Sequence, residues 1–339
     1  MKLKKIAFLF LIFILSLSLF LKLDSLIEPV DQVNPKQVRI KIEAGMSGRA
    51  IADRLEEKGV IKSSKVFYFL LRLKKINNLR TGYYQISTSN TLLEIITKIQ
   101  TGKEEEFKIT IPEGFTFDEI ITRFSELDFP NYESQKLKQE IYQLLPKLKE
   151  ELNFKANIIK SELIYPVEGI IIPTTYKFPL SYQEADIVNY LVKYFIKNRV
   201  PVLKKAAKNN KFSAYELLII ASLIEEEGKI DSENEIIASV IYNRLAKKMP
   251  LQLDATVQYA LAERTKRVLY SDLEVDSPYN TYKIKELPPT PIASPGAKAL
   301  KAAINPAATN YLFYFAQADG SHIFSRNYQE HLNKQRQRN

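Results

Sequence analysis

Residues Leu217 to Gly228 read LLIIASLIEEEG. Placed on a helical wheel at about 100° per residue, apolar side chains occupy nearly the whole circumference. Such a helix has no face to give to water, so the rest of the chain must wrap it. With 339 residues, the chain is long enough to build that core and a second domain. The helix then runs into three consecutive glutamates. Only Ser222 and Glu226 share a polar sector, so Glu226 is expected to face water. Glu225 falls between Ala221 and Leu218, and Glu227 between Leu223 and Ile220, so both leave from apolar faces. A carboxylate on an apolar face is costly when ionised, and desolvation raises its pKa. A raised pKa lets a carboxylic acid donate a proton near neutral pH, which glycosidic cleavage requires of its general acid. The competing reading is a helix end that leaves the core and is satisfied by solvent and salt bridges.

The N-terminus carries a second constraint. MKLKK precedes Ile6 to Leu21, an uncharged run with only Ser16 and Ser18 as polar groups. Lys5 and Lys22 can snorkel and Leu23 extends the run, so residues 1–23 read as a basic flank and a single-pass anchor. No small-x-small cleavage site follows Leu21, which favours an uncleaved anchor over a signal peptide. The basic flank stays in the cytoplasm, and the remainder lies outside the membrane.

Residues 24–37 are a polar linker containing Pro29 and Pro35. Val38 to Ile42 and Gly82 to Ser87 alternate like strands, and Ser47 to Lys58 and Ser64 to Lys75 carry helical periods. The order β-α-α-β describes a small module. A helix at Thr91 to Gln100 and a strand at Phe107 to Ile111 complete a region over 38–110. Thr116-Phe-Asp-Glu119, Ser213-Ala-Tyr-Glu216 and Ser232-Glu-Asn-Glu235 are capping-box patterns that open helices. Residues 131–160, interrupted by Pro146, read as an exposed charged helical segment. Residues 183–209 form a long amphipathic pattern broken at Pro201. A hairpin is expected from Tyr311 to Gln317 and Ser321 to Ser325, turning at Asp319-Gly320. The expected class is α+β: an N-terminal transmembrane helix, the β-α-α-β subdomain, and a mixed helical and β domain over 111–339.

The chain has no Cys, which excludes disulfides, thiolate nucleophiles and Cys-ligated metals. Its two His residues, His322 and His331, leave little for a His metal site or a Ser-His-Asp triad. The net charge of +10 admits an acidic polymer or an anionic surface. Lys and Arg are spread along the chain without a stripe interleaved with aromatics, so nucleic acid is not an expected partner.

Downstream of the glutamates, polar residues crowd among prolines and glycines between residues 239 and 310. They include Tyr242-Asn243-Arg244, Leu251-Gln252-Leu-Asp254 and Ser277-Pro-Tyr279-Asn280-Thr281-Tyr282. Such loops on a rigid frame suit sugar, with rings stacked on aromatics and hydroxyls on amides. Each has a plainer reading: Asp254 as an N-cap, Arg244 as half of an ion pair, Tyr279 and Tyr282 as core-edge aromatics.

In order and spacing these stretches resemble the membrane-anchored endolytic murein transglycosylase family (MltG, YceG-like). The resemblance rests on PEGFTFDEI at 112–120, YPVEGIIIPTTYKF at 165–178 and ASLIEEEG at 221–228. It continues through ASVIYNRLAKKMPLQLDATVQYAL at 238–261 and SPYNTYKIKELPPTPIASPGAKALKAAINPA at 277–307. The resemblance implies a LysM-like subdomain at residues 38–87 and a catalytic domain outside the cytoplasmic membrane. It implies cleavage of the β-1,4 bond between N-acetylmuramic acid and N-acetylglucosamine in nascent glycan strands, leaving 1,6-anhydro ends and limiting strand elongation. The family motif places the catalytic acid at Glu225, with Glu227 as companion. Gln252, Asp254 and Tyr279, Asn280, Thr281 and Tyr282 would line the cleft, with Asn243 and Arg244 supporting it and Glu168 retained in its motif.

The sequence departs from the family pattern at Ile170, Ile171, Thr174, Leu253 and Ala255, where substrate contacts are expected to differ. No metal and no cofactor are expected, because proton transfer by a carboxylic acid needs neither. The expected partners are peptidoglycan glycan strands, the membrane and peptidoglycan synthases. The alternative is a non-catalytic peptidoglycan-binding membrane tether, against which the retained Glu225 motif speaks.

Overall fold

The computed structural model describes residues 24–127, 132–153, 165–265 and 267–338, with residues 10, 14, 17, 18, 21 and 22. The anchor expected over residues 6–21 lies largely outside the described residues. Among those described, no helix is long and apolar enough to cross a membrane.

The chain divides into two compact units, one of residues 1–107 with 177–182, the other of residues 108–176 with 183–339. In the first, β1 (Gln37–Ile42) pairs antiparallel with β2 (Gly82–Ser87), with Ile40 opposite Tyr84. Between them run α1 (Gly48–Glu57) and α2 (Ser64–Leu73), and α3 (Leu92–Thr101) follows. Ser47, Ser63 and Thr91 each accept a backbone N–H from the first turn, so local chemistry starts all three helices. Alternation on β1 turns Ile40 and Ile42 inward, where they meet Leu55, Phe67, Tyr84 and Ile95 in one apolar cluster. Residues 177–182, downstream of the second unit's first stretch, belong to this unit too, which the expected boundary at 110 did not include.

The second unit is mainly helical. α4 (Phe117–Ser125) is opened by the expected capping box at Thr116. Of the two-stranded sheet of β3 (Glu106–Ile111) and β4 (Thr174–Pro179), this unit holds residues 108–111 and 174–176. The charged stretch expected to be exposed instead packs. Its helices α5 (Ser134–Gln143) and α6 (Leu145–Leu152) bury Leu137, Ile141, Leu148 and Leu152. Glu184, at the start of α7 (Glu184–Asn198), is itself buried and accepts the Glu133 N–H at 2.8 Å. Charge density gave the wrong answer there because one apolar residue per turn is enough to dock a short helix. Pro201 starts α8 (Val200–Ala207), where a missing N–H costs nothing.

The all-apolar helix is α9 (Ala214–Glu227), capped by Ser213 and Glu216 as expected. Every residue from Leu217 to Ile224 is buried. α10 (Asn234–Ala246), α11 (Asp254–Leu261) and α12 (Ala297–Ile304) pack against it. Gly228 ends α9 in extended rather than left-handed geometry; a Cβ there would overlap the Asn234 amide oxygen. The third capping box is absent: residues 231–233 form a 3-10 turn, and α10 starts without a side-chain cap. Asp254 opens the first turn of α11 but does not cap it. The C-terminal hairpin pairs β5 (Phe313–Ala316) with β6 (His322–Ser325), followed by α13 (Tyr328–Arg338). His322 Nδ1 lies 2.7 Å from Glu233, a structural partner rather than a ligand set.

Candidate active site

Successive residues on a helix diverge by about 100°, so the three glutamates at the end of α9 reach three different neighbours. Glu225 turns toward the loop that leads into α12. Its Oε2 accepts the Gly296 N–H at 2.9 Å, and it has no ion pair among the described residues. Burial raises its pKa, and the carboxylates of Glu113 and Asp231 push the same way, while the Gly296 N–H and Arg199 oppose them. The loop is pinned from behind. Arg199, buried in α7–α8, donates to the Pro295 carbonyl at 3.1 Å and the Gly296 carbonyl at 3.4 Å. Ser222 Oγ, one turn before Glu225, donates to Ile219 O and accepts the Ile292 N–H at 3.1 Å. A Cβ at position 296 would overlap the Glu113 carboxylate, so only glycine lets Glu113 approach the N–H that Glu225 uses.

Glu226 is half-buried rather than turned fully to water. Its carboxylate lies 3.3 Å from Arg264, which also holds Glu119 at 3.1 Å and donates to the Gly114 carbonyl at 2.6 Å. Burial still raises its pKa against the pull of Arg264. A cavity of about 240 Å³ opens on this side, lined by Thr116, Glu119, Tyr165, Gln258, Tyr259 and Arg264 among others. Ser222 is wholly buried, so the polar sector of the wheel was an internal one.

Glu227 points a third way, to the hairpin. Tyr314 Oη donates to it at 2.9 Å, and burial pushes its pKa up to about 7. Asp254, Tyr282 and Arg244 share this neighbourhood: Tyr282 Oη donates to Asp254 Oδ1, and burial raises the Tyr282 pKa, with Asp254 and Glu227 pushing the same way. Buried Arg244 donates to the carbonyls of Leu312 at 2.6 Å and Leu251 at 2.8 Å, and to Gln252 Oε1 at 3.2 Å. It therefore ties the Gln252 loop to β5 rather than pairing a surface carboxylate. Gln252 sits at φ 53, a conformation few side chains adopt, held by its N–H on the Thr281 carbonyl at 3.0 Å.

Of the residues expected to line a cleft, Tyr279, Asn280 and Thr281 are wholly buried. Tyr279 Oη bonds Thr290, the Asn280 amide donates to Leu273 and Val275 carbonyls, and Thr281 bonds Thr256 and the Leu253 N–H. They hold the loops in shape; Gln252, Asp254 and Tyr282 remain accessible. Asn243 likewise donates to the carbonyls of Thr309 and Tyr311, both at 2.9 Å. Glu168 is buried, accepting the Phe117 N–H at 3.0 Å and the Tyr259 hydroxyl at 3.1 Å, with its pKa pushed up to about 8 by burial. It joins α4 to α11 and does not meet Glu225.

The sequence reading missed Glu113, Arg199, Arg264 and Tyr314. Glu113 left a signal, since a glutamate inside the quoted Pro112-Glu-Gly114 turn has no role in the turn itself. The other three left none, because each acts across 30 or more positions of chain: Arg264 reaches Glu226 over 38 and Tyr314 reaches Glu227 over 87. Among the described residues, no group of three or more His, Cys, Asp or Glu side chains is arranged to hold a metal ion.

A model of the YceG-like family matches residues 40–337. An endolytic murein transglycosylase of Bacillus subtilis is 38% identical over 321 residues, covering 92% of this chain and 88% of that protein. One of Streptococcus pneumoniae is 30% identical over 331 residues, where the match spans 59% of the longer relative. The crystal structure of a yceG-like protein of Listeria monocytogenes superimposes with a TM-score of 0.61 at 32% identity, covering 89% of this chain and all of that one.

Proposed function

Because the chain belongs to the YceG-like family, we propose that it is a peptidoglycan lytic transglycosylase with Glu225 as its acid. The observation that carries this reading is the setting of Glu225. Among the described residues, it alone of the three glutamates lacks a side-chain hydrogen-bond partner, and its one donor is a backbone N–H. Burial favours its protonated form, the form that a general acid needs. It would protonate the glycosidic oxygen as the bond from C1 to that oxygen breaks. The Gly296 N–H then stabilises the carboxylate that remains. That carboxylate accepts the proton of the C6 hydroxyl while the C6 oxygen closes on C1, giving a 1,6-anhydro end. The acid is regenerated, no water is consumed, and a second carboxylate is not needed, unlike in a hydrolase.

The remaining groups have supporting roles. Arg199 and Ser222 fix the loop that presents Gly296, and Glu113 adds negative charge that keeps the proton on Glu225. Gln252, Asp254 and Tyr282 are accessible polar groups suited to sugar hydroxyls. The β-α-α-β unit is read as LysM-like, and the apolar run at residues 6–21 as a single-pass anchor that keeps the enzyme at the outer face of the cytoplasmic membrane. There it would meet nascent strands and the synthases that make them, and limit strand elongation.

The test is mass spectrometry of products from uncrosslinked glycan strands. The expected result is anhydro ends from the unaltered protein and at least about a hundredfold fewer from Glu225→Gln, the scale of a lost general acid. Reducing ends would point to hydrolysis and to a second carboxylate. Retained binding without cleavage by either protein would favour the tether.

A further inference from the structure

α2 has two faces. Phe67, Leu70 and Leu71 are buried in the first unit's core. The opposite side, at the helical spacing Lys65, Tyr68, Phe69, Arg72, Leu73, is solvent-facing. Phe69 is 59% exposed and Leu73 64%, large values for a small domain that has an apolar core to fill. Around them the charge is of one sign. From residue 58 to residue 93 the chain has seven Lys and Arg and no Asp or Glu. Lys65, Arg72, Lys74 and Lys75 are exposed and make no ion pair among the described residues. The start of α2 is also tied to the segment that follows the apolar run, because Lys62 Nζ donates to the Ser25 carbonyl at 2.9 Å.

We propose that the outer face of α2 lies on an anionic lipid surface, with Tyr68, Phe69 and Leu73 at the headgroup boundary and Lys65, Arg72, Lys74 and Lys75 on lipid phosphates. An amphipathic helix with aromatic and leucine side chains ringed by cations binds such an interface by apolar burial and charge together. A glycan would reward hydrogen-bonding groups, yet this face offers few beyond the Tyr68 hydroxyl. An acidic protein would satisfy the cations but would leave Phe69 and Leu73 needing a complementary pocket. The choice of a bilayer rests on the anchor proposed for residues 6–21, which would bring residue 25, and with it Lys62, to the membrane surface. The unit would then be held against the membrane by two points rather than swing on a linker.

The test uses the full chain, which has no Cys and so accepts one label at a chosen site. Tyr68→Cys and Gln85→Cys, the latter exposed on β2, each carry an environment-sensitive fluorophore. Each is reconstituted in vesicles of phosphatidylcholine alone or with phosphatidylglycerol, doped with a headgroup-depth lipid quencher. The expected result is quenching at position 68 in the anionic vesicles only, and none at position 85. Raising salt to about 1 M, where the screening length falls to about 3 Å, should reduce that quenching severalfold. Replacing Lys65, Arg72, Lys74 and Lys75 together by Gln should do the same with unchanged thermal unfolding. Equal quenching at the two positions, or none at 68, overturns the proposal. So does quenching at 68 that soluble glycan strands displace, which would assign the face to the wall. Extraction at alkaline pH reports separately on the anchor: a chain washed off the vesicles defeats the anchor, whereas the quenching read beforehand still decides the α2 face.

Discussion

The two units bury different chemistry. Among the described residues, the first unit's buried set is apolar apart from Ser64, Ser87 and Thr88, and holds no charged residue. The second buries Glu168, Glu184, Arg199 and Arg244, and raises the pKa of all three glutamates at the end of α9. A buried charge stabilises little and costs much unless every partner is in place. The first unit's core is therefore built for folding alone, while the second accepts desolvated carboxyls, among them Glu225, the acid proposed above.

This contrast can be broken most strongly by the core of the first unit. Phe67→Ala should lower that unit's stability by about 3–5 kcal/mol, measured by hydrogen exchange of its amides. The rate of glycan cleavage by the second unit should stay within twofold; a parallel loss of activity would mean that the units do not act separately. Next in size, Glu168→Leu strands the Phe117 N–H and the Tyr259 hydroxyl and should cost about 2–4 kcal/mol in denaturant unfolding of the second unit. Glu168→Gln keeps an acceptor and should recover most of that. Equal loss in both variants would show that charge, not hydrogen bonding, is what position 168 supplies.

A third prediction concerns pH. Glu168 at about 8 and Glu227 at about 7 bind protons in the folded state that an unfolded carboxyl, near 4.5, has already released. Their contribution is therefore fully present below pH 4.5 and is lost as pH rises toward 8. Protection factors of the second unit's amides, corrected for the intrinsic base-catalysed exchange rate, should fall across that window, and those of the first should stay flat. The combined Glu168→Gln and Glu227→Gln variant should flatten the second unit's profile; persistence of the slope would move its origin elsewhere. If Glu225 is the acid proposed above, cleavage should also decline with rising pH, because a general acid must begin protonated.

Much of the frame was legible along the chain. Period-two alternation gave β1 and β2, helical periods gave α1 and α2, capping boxes gave the starts of α4 and α9, and the unbroken apolar circumference of α9 required its burial. These are properties of a few consecutive residues, and local backbone chemistry acts over that range. The wheel's expectation that burial raises the pKa of Glu225 and Glu227 holds in the structure. The wheel misjudged Ser222 and Glu226, because an angle on a helix says where a side chain points and nothing about what waits there. The tertiary structure supplied the Ile292 N–H for Ser222 and Arg264 for Glu226. It also turned Tyr279, Asn280 and Thr281 from expected sugar contacts into buried supports.

Sequence alone determined that α9 must be wrapped and that carboxyls would stand at its end, since both follow from the order of apolar and acidic residues. Only the tertiary structure decided which carboxyl is left with a single backbone donor. Desolvation, ion pairing and hydrogen bonding depend on groups that folding brings together from distant positions, and those three effects set where a proton resides.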